Sequence, residues 1–179
     1  MNRRRLILLP ALVLLVLTSV AHADDKKSGV TFGYGLLHQK RLGEQSKGHL
    51  VNIGAILNTE KLMVHAGFQF AIDYEYKDGT QYSLFAVAAY KLGWRFFGLY
   101  LGGGYKMSLD GYPEPSWSPF DLGAALGLYI NAGPVFIGMD WRGWLGFNIY
   151  SVREGSRREG GVKIEPYQEA QIYLGIMFK

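Results

Sequence analysis

From Leu62 to Tyr76 the chain alternates without interruption for fifteen residues. One row is Leu62, Val64, Ala66, Phe68, Phe70, Ile72, Tyr74 and Tyr76. The other is Met63, His65, Gly67, Gln69, Ala71, Asp73 and Glu75. A period of two belongs to an extended strand, whose successive side chains point to opposite faces. Fifteen residues also far exceed the common soluble strand of about 5–6. A chain that keeps two chemically distinct faces for this distance demands a large apolar surrounding on one side.

The same pattern returns from Val135 to Tyr150, with Val135, Ile137, Met139, Trp141, Leu145, Phe147 and Ile149 against Asp140, Arg142, Asn148 and Tyr150. Weaker alternation predicts strands over 29–41, 49–58, 81–92, 95–109, 120–131 and 165–178, which makes eight in all. The connections are 42–48, 59–60, 77–79, 93–94, 110–119, 132–133 and 151–164. Short and longer connections broadly alternate, as in an up-and-down barrel with short periplasmic turns and longer outer loops. The 24 glycines argue against a helical alternative, since each costs about 1 kcal/mol in a helix interior.

Residues that pair across a hairpin must share a face. A three-residue loop at 77–79 pairs His65 with Lys91 and Asp73 with Ser83. A turn at 93–94 pairs Phe85 with Gly102 and Val87 with Tyr100; one at 132–133 pairs Tyr129 with Phe136 and Gly127 with Gly138. Large side chains repeatedly face glycine or alanine, an interleaving that a narrow interior requires.

The face that carries glycine also carries His65, Lys91, Lys106, Asp140, Arg142, Glu169 and Gln171. Polar interiors are the rule in narrow membrane barrels, so this row is read as the lumen and the apolar row as the lipid face. Tyr74, Tyr76, Tyr82, Trp94, Phe97, Tyr150 and Tyr167 fall toward strand ends, where aromatic girdles form. A soluble lipocalin-like periplasmic barrel, apolar inside, is the alternative.

The first residues read as an export signal. Arg3–Arg5 precede an apolar run from Leu6 to Val20, and Ala21-His22-Ala23 has small residues where a peptidase cuts. The expectation is a signal peptide at 1–23 and a barrel domain at 24–179. Loss of Arg3–Arg5 lowers the 19 basic groups to 16 against 15 acidic ones, so the basic balance gives no reason to expect nucleic acid as a partner. With no cysteine, neither disulfides nor thiolate metal sites arise.

Gln171-Ile-Tyr-Leu-Gly-Ile-Met-Phe178 resembles the closing strand of the small outer-membrane barrels of the OmpA/OmpW class. Gly175 and Phe178 match their terminal Gly-x-x-Phe pattern; Lys179 departs from it, since the aromatic is usually last. The resemblance implies an all-β, antiparallel up-and-down transmembrane β-barrel in the outer membrane. It also implies the barrel assembly machinery as a partner in biogenesis.

Some barrels of this class modify lipid A, but the His-x-Ser-Asn of the deacylases and the Asp-Ser pair of the palmitoyl transferases are both missing here. His38 and His49 flank the first loop, and His65 reads as interior filler. Asp73, Glu75, Ser83, Lys106 and Asp110 are expected to gather near the outer end, more as a salt-bridge network than as an acid–base site. No cofactor and no metal site is expected. A narrow solute channel would need an open lumen, and Phe85, Tyr100, Tyr129, Phe136 and Trp144 argue for a filled one. What remains is a set of loop cations: Lys40, Arg41, Lys47, Arg153, Arg157, Arg158 and Lys163. They suit the phosphates of lipopolysaccharide, with Arg157–Arg158 the favoured pair. The expected function is non-enzymatic, a structural or surface-interaction role.

Overall fold

The computed structural model describes residues 27–41, 44–73, 80–110, 116–154 and 157–178. The signal segment at 1–23, together with Tyr74, Glu75 and Tyr76, lies outside them. Eight antiparallel strands form a closed barrel in chain order: β1 (Lys27–Arg41), β2 (Glu44–Asn58), β3 (Leu62–Asp73), β4 (Thr80–Gly93), β5 (Phe97–Asp110), β6 (Ser116–Ala132), β7 (Val135–Glu154) and β8 (Arg157–Phe178). Closure comes from β1 pairing with β8, Thr31 opposite Gly175. Among the described residues no helix is long and apolar enough to cross a membrane; the strands do the crossing.

The ladder fixes the barrel's dimensions. Starting at His38 and stepping across hydrogen-bonded partners, one passes Gln168, Gly143, Ala124, Gly103, Ala88, Val64 and Leu57. The walk returns to β1 at Ser28, ten residues below its start. A stagger of ten over eight strands tilts the strands by about 40° and gives a backbone diameter of about 16 Å. An apolar band about 25 Å tall then needs roughly ten residues per strand, and every strand has more.

The faces divide as the alternation predicts. Phe32, Leu36, Val51, Ile53, Leu101, Leu126, Met139, Trp141, Ile172 and Leu174 are exposed on the outside. His65, Gln69, Lys106, Asp140, Arg142 and Glu169 are buried in the lumen beside Phe85, Tyr100, Tyr129, Phe136 and Trp144. An exposed apolar belt around a buried charged interior is stable against hydrocarbon and unstable against water. That excludes a lipocalin-like interior. Tyr82, Trp94 and Phe97 sit on the outer face at the rims, whereas Tyr167 turns inward and bonds Asp121, correcting its expected place in the girdle.

The pairing registers differ from expectation by even numbers of residues. His65 lies opposite Val87, four residues from Lys91. Phe85 lies opposite Lys106, four residues from Gly102, and Tyr129 opposite Gly138, two from Phe136. The last shift comes from a turn at Gly133-Pro134, one residue later than expected; Gly133 takes φ 65° and Ala132 pairs with Val135. The hairpin at Trp94–Phe96 closes with Trp94 N–H donating to Phe97 O at 2.9 Å, after Gly93 at φ 135°.

Glycine and aromatic still interleave, with new partners. A Cβ on Gly127 would enter the ring of Tyr100, one on Gly138 the ring of Tyr173, and one on Gly123 the indole of Trp144. We therefore expect Gly138→Val to cost about 1–3 kcal/mol through overpacking. Tyr173→Ala in the same chain should relieve part of it, and urea-induced unfolding of barrels refolded in vesicles measures both.

Candidate functional site

Charged and polar side chains occupy the lumen at several heights. At the turn end, Lys91 Nζ donates to Asn58 Oδ1 at 2.8 Å and to Thr59 O at 2.6 Å. At mid-height, Arg142 donates to Asp140 Oδ2 through Nε at 3.0 Å and Nη2 at 2.9 Å. Tyr100 donates to the same oxygen at 2.8 Å and lies 2.8 Å from the Tyr173 hydroxyl. Toward the loop end Lys106 pairs with Glu169, and Asp121 accepts from Tyr167, Ser118 and Ser108.

His65 joins the middle group. A guanidinium has only donors, so Arg142 Nη2, 3.1 Å away, donates to His65 Nδ1. Nε2 then carries the proton and donates to Thr31 Oγ1 at 2.9 Å. Both ring nitrogens are thus engaged, and the ring stacks on Tyr173 at 4.6 Å. Its cationic neighbour is Arg142, reached across the barrel, and not Lys91. The arrangement holds a side chain in place and leaves no nitrogen for a substrate.

The expected outer-end cluster is redistributed. Ser83 bonds Ser108 at 3.2 Å and Lys106 goes to Glu169. By backbone register Asp110 is opposite Gln81 and Asp73 opposite Gly48. Asp121 and Tyr167 join this end of the lumen instead; for Tyr167 the signal in the sequence is its shared parity with Glu169 and Gln171. The aromatic and charged layers fill the cross-section, with Arg142 and Tyr100 both 0% exposed.

All seven of the expected loop cations stand on strands. The expected loops at 42–48 and 151–164 are largely extensions of β1–β2 and β7–β8. Lys40 and Arg41 end β1, with Arg41 opposite Glu44. Lys47 is opposite His38 and is exposed. Lys163 is opposite Asn148, and its Nζ meets Glu165 Oε1 at 2.7 Å.

The last hairpin rises above the wall. The final β6–β7 pair is Trp117 with Ile149 and the final β8–β1 pair Tyr167 with Gln39, while β7 and β8 stay paired to Glu154 and Arg157. Among the described residues the upper hairpin is therefore a two-stranded ribbon with no strand paired on either side. On its outward parity, Ile149 opposite Val162 is followed by Ser151 opposite Gly160, then by Arg153 opposite Arg158. Arg157 falls on the other parity, opposite Glu154. Register therefore sets Arg158, and not Arg157, opposite Arg153.

Comparison with known proteins supports the fold. Neisserial surface protein A (NspA) superposes with a TM-score of 0.68 at 17% identity, covering 84% of this chain and 97% of that one. Ail, the attachment invasion locus protein of Yersinia pestis, solved in complex with the heparin analogue sucrose octasulfate, gives 0.50 at 16% identity over 86% and 99%. No protein-family model matches the sequence, and no curated protein matches it. At these identities the likeness is one of architecture. The architecture is the eight-stranded outer-membrane barrel, and the outer membrane is where a wall of this chemistry is stable.

Proposed function

We propose that this chain is a non-enzymatic surface protein of the outer membrane that engages anionic groups, foremost the phosphates of lipopolysaccharide, through its projecting ribbon. The observation that carries this reading is the register of Arg153 opposite Arg158, above an apolar outward face. Like charges placed directly across a ladder repel and weaken the hairpin. An anion between two guanidinium forks turns that repulsion into two charge-assisted contacts. Lys40, Arg41 and Lys47 supply further positive charge at the neighbouring rim. A second anionic class, the sulfated glycan, is suggested by the heparin analogue bound to Ail. The same reading includes export through cleavage after Ala23 and recognition of Gly175 and Phe178 by the barrel assembly machinery.

Titration of folded barrel with lipopolysaccharide at low and high salt tests the ribbon. Arg153→Glu with Arg158→Glu should weaken binding at least about tenfold at low salt, the loss expected when charged hydrogen bonds go. Arg157→Glu should do less, and the difference should shrink as salt rises. Folding should be unchanged, because these positions lie on the ribbon beyond the last β6–β7 pair, outside the barrel's packed interior. Equal binding by the double variant and the wild type at low salt would end the proposal. Sucrose octasulfate in parallel separates glycan from lipid recognition.

A further inference from the structure

The outer wall is not evenly padded. An open depression of about 670 Å³ crosses β6, β7 and β8 and is lined by Ala124, Gly143, Gln168 and His38. Within it Gln168, Gly143 and Ala124 are successive ladder partners, and the same line continues past its edge through Gly103 and Ala88. Beside it run two ridges one row away. Leu145 and Leu122 form one, Trp141 and Leu126 the other, each pair opposite across β6–β7. The Trp141 ring lies against Gly143, where a Cβ would stand 3.1 Å from it.

Strand tilt gives this trough a direction. The ladder line drops about 3 Å per strand at a 40° tilt, so from Gln168 to Ala88 it descends about 12 Å. Its upper end is near the loop rim and its lower end near mid-membrane. That is the depth range of the outer leaflet's hydrocarbon.

The upper end is polar. Lys47, His38 and Gln168 are successive ladder partners on the outward parity. Trp141 Nε1 donates to Gln168 Oε1 at 3.1 Å, which orients the amide. That engages the oxygen of Gln168 and leaves its NH₂ to serve as donor, next to the imidazole of His38 and the exposed ammonium of Lys47. A hydrocarbon trough headed by hydrogen-bond donors and a cation complements one amphiphile with an anionic head. We infer that the trough seats one acyl chain of a lipid A molecule, with a phosphate or sugar amide of its head group at Lys47, His38 and Gln168. The occupant is set by place: at this depth the wall meets outer-leaflet lipid, and the head carries positive charge. The inference depends on the membrane location and not on the ribbon.

Native mass spectrometry of the folded barrel released from detergent with hexa-acylated lipid A tests it. Wild type should retain one lipid A. Ala124→Leu fills the floor and Gly103→Leu, on its ladder partner, raises the adjoining edge; the latter is sterically open because a Cβ on Gly103 meets only Gly123 O at 3.5 Å. This variant should lose retention at least tenfold, while Val51→Leu on the far wall should not. Lys47→Ala with Gln168→Leu leaves the floor intact and should lower retention of lipid A to the level of phosphatidylethanolamine. Heat-modifiable gel migration confirms that each variant is folded. Undiminished lipid A retention by folded Gly103→Leu/Ala124→Leu, or equal retention of phosphatidylethanolamine by the wild type, would overturn the assignment. The ribbon variant Arg153→Glu/Arg158→Glu should still retain the lipid, so failure of either proposal is distinguishable from failure of the other.

Discussion

Replacing Arg142 with Met is expected to cost the barrel about 3–5 kcal/mol, the loss seen when one member of a buried ion pair is removed. Arg142 is fully buried and is the only cation within bonding distance of Asp140 among the described residues. Met leaves a carboxylate facing Tyr100 alone and takes the donor from His65 Nδ1. Glu169, opposite Arg142 in the ladder, stays with Lys106 and cannot help. The partner substitution discriminates between causes. Adding Asp140→Leu removes the stranded charge and should recover most of the loss, because a packed apolar pair is often no worse than a buried ion pair. Urea midpoints of refolded barrels measure the single and double variants. A double variant as unstable as Arg142→Met would mean that volume, not charge, governs this layer.

Much of this architecture was legible because parity is a local property. Each residue between Leu62 and Asp73 declares its face by its chemistry, and the apolar row did prove to be outside. Phase along the strand is a different quantity. A shift of two or four residues keeps every side chain on its own face, so the alternation around His65 is equally content opposite Val87 or Lys91. What selects one phase is the turn chemistry together with the ten-residue stagger of the closed barrel. The first depends on single residues such as Gly133 and Pro134, and the second is shared among all eight strands. Loop length was misjudged for a related reason. Residues 157–161 contain Arg, Glu and Gly and carry no apolar row, because the ribbon stands above the hydrocarbon and has no face to bury. The Arg153–Arg158 juxtaposition depends on that hairpin's register. The trough depends on register across β6, β7 and β8, so neither could be read from the chain alone.

Depth, too, follows from the stagger, and it sets the second large effect. Phe32 is 57% exposed and lies opposite Ile53 and Leu174 on the outer face. It stands about 10 Å above Ser28, near the middle of an apolar band about 25 Å tall. Phe32→Arg is therefore expected to cost about 2–4 kcal/mol of insertion stability. Phe70 is three residues below the loop end of β3 at Asp73 and packs against Tyr82 at 5.2 Å. Arg there can reach the interface with its head group, so the cost should fall to about 0–1 kcal/mol. Gln69, on the inward row beside Phe70, should respond to lumen packing and not to depth. Refolding into vesicles of defined thickness, followed through urea titration, gives the comparison. Equal tolerance of Arg at Phe32 and Phe70 would contradict the tilt and stagger from which their depths are derived. A Phe32→Arg barrel that inserts as well as wild type would contradict the lipid-facing assignment of the whole row.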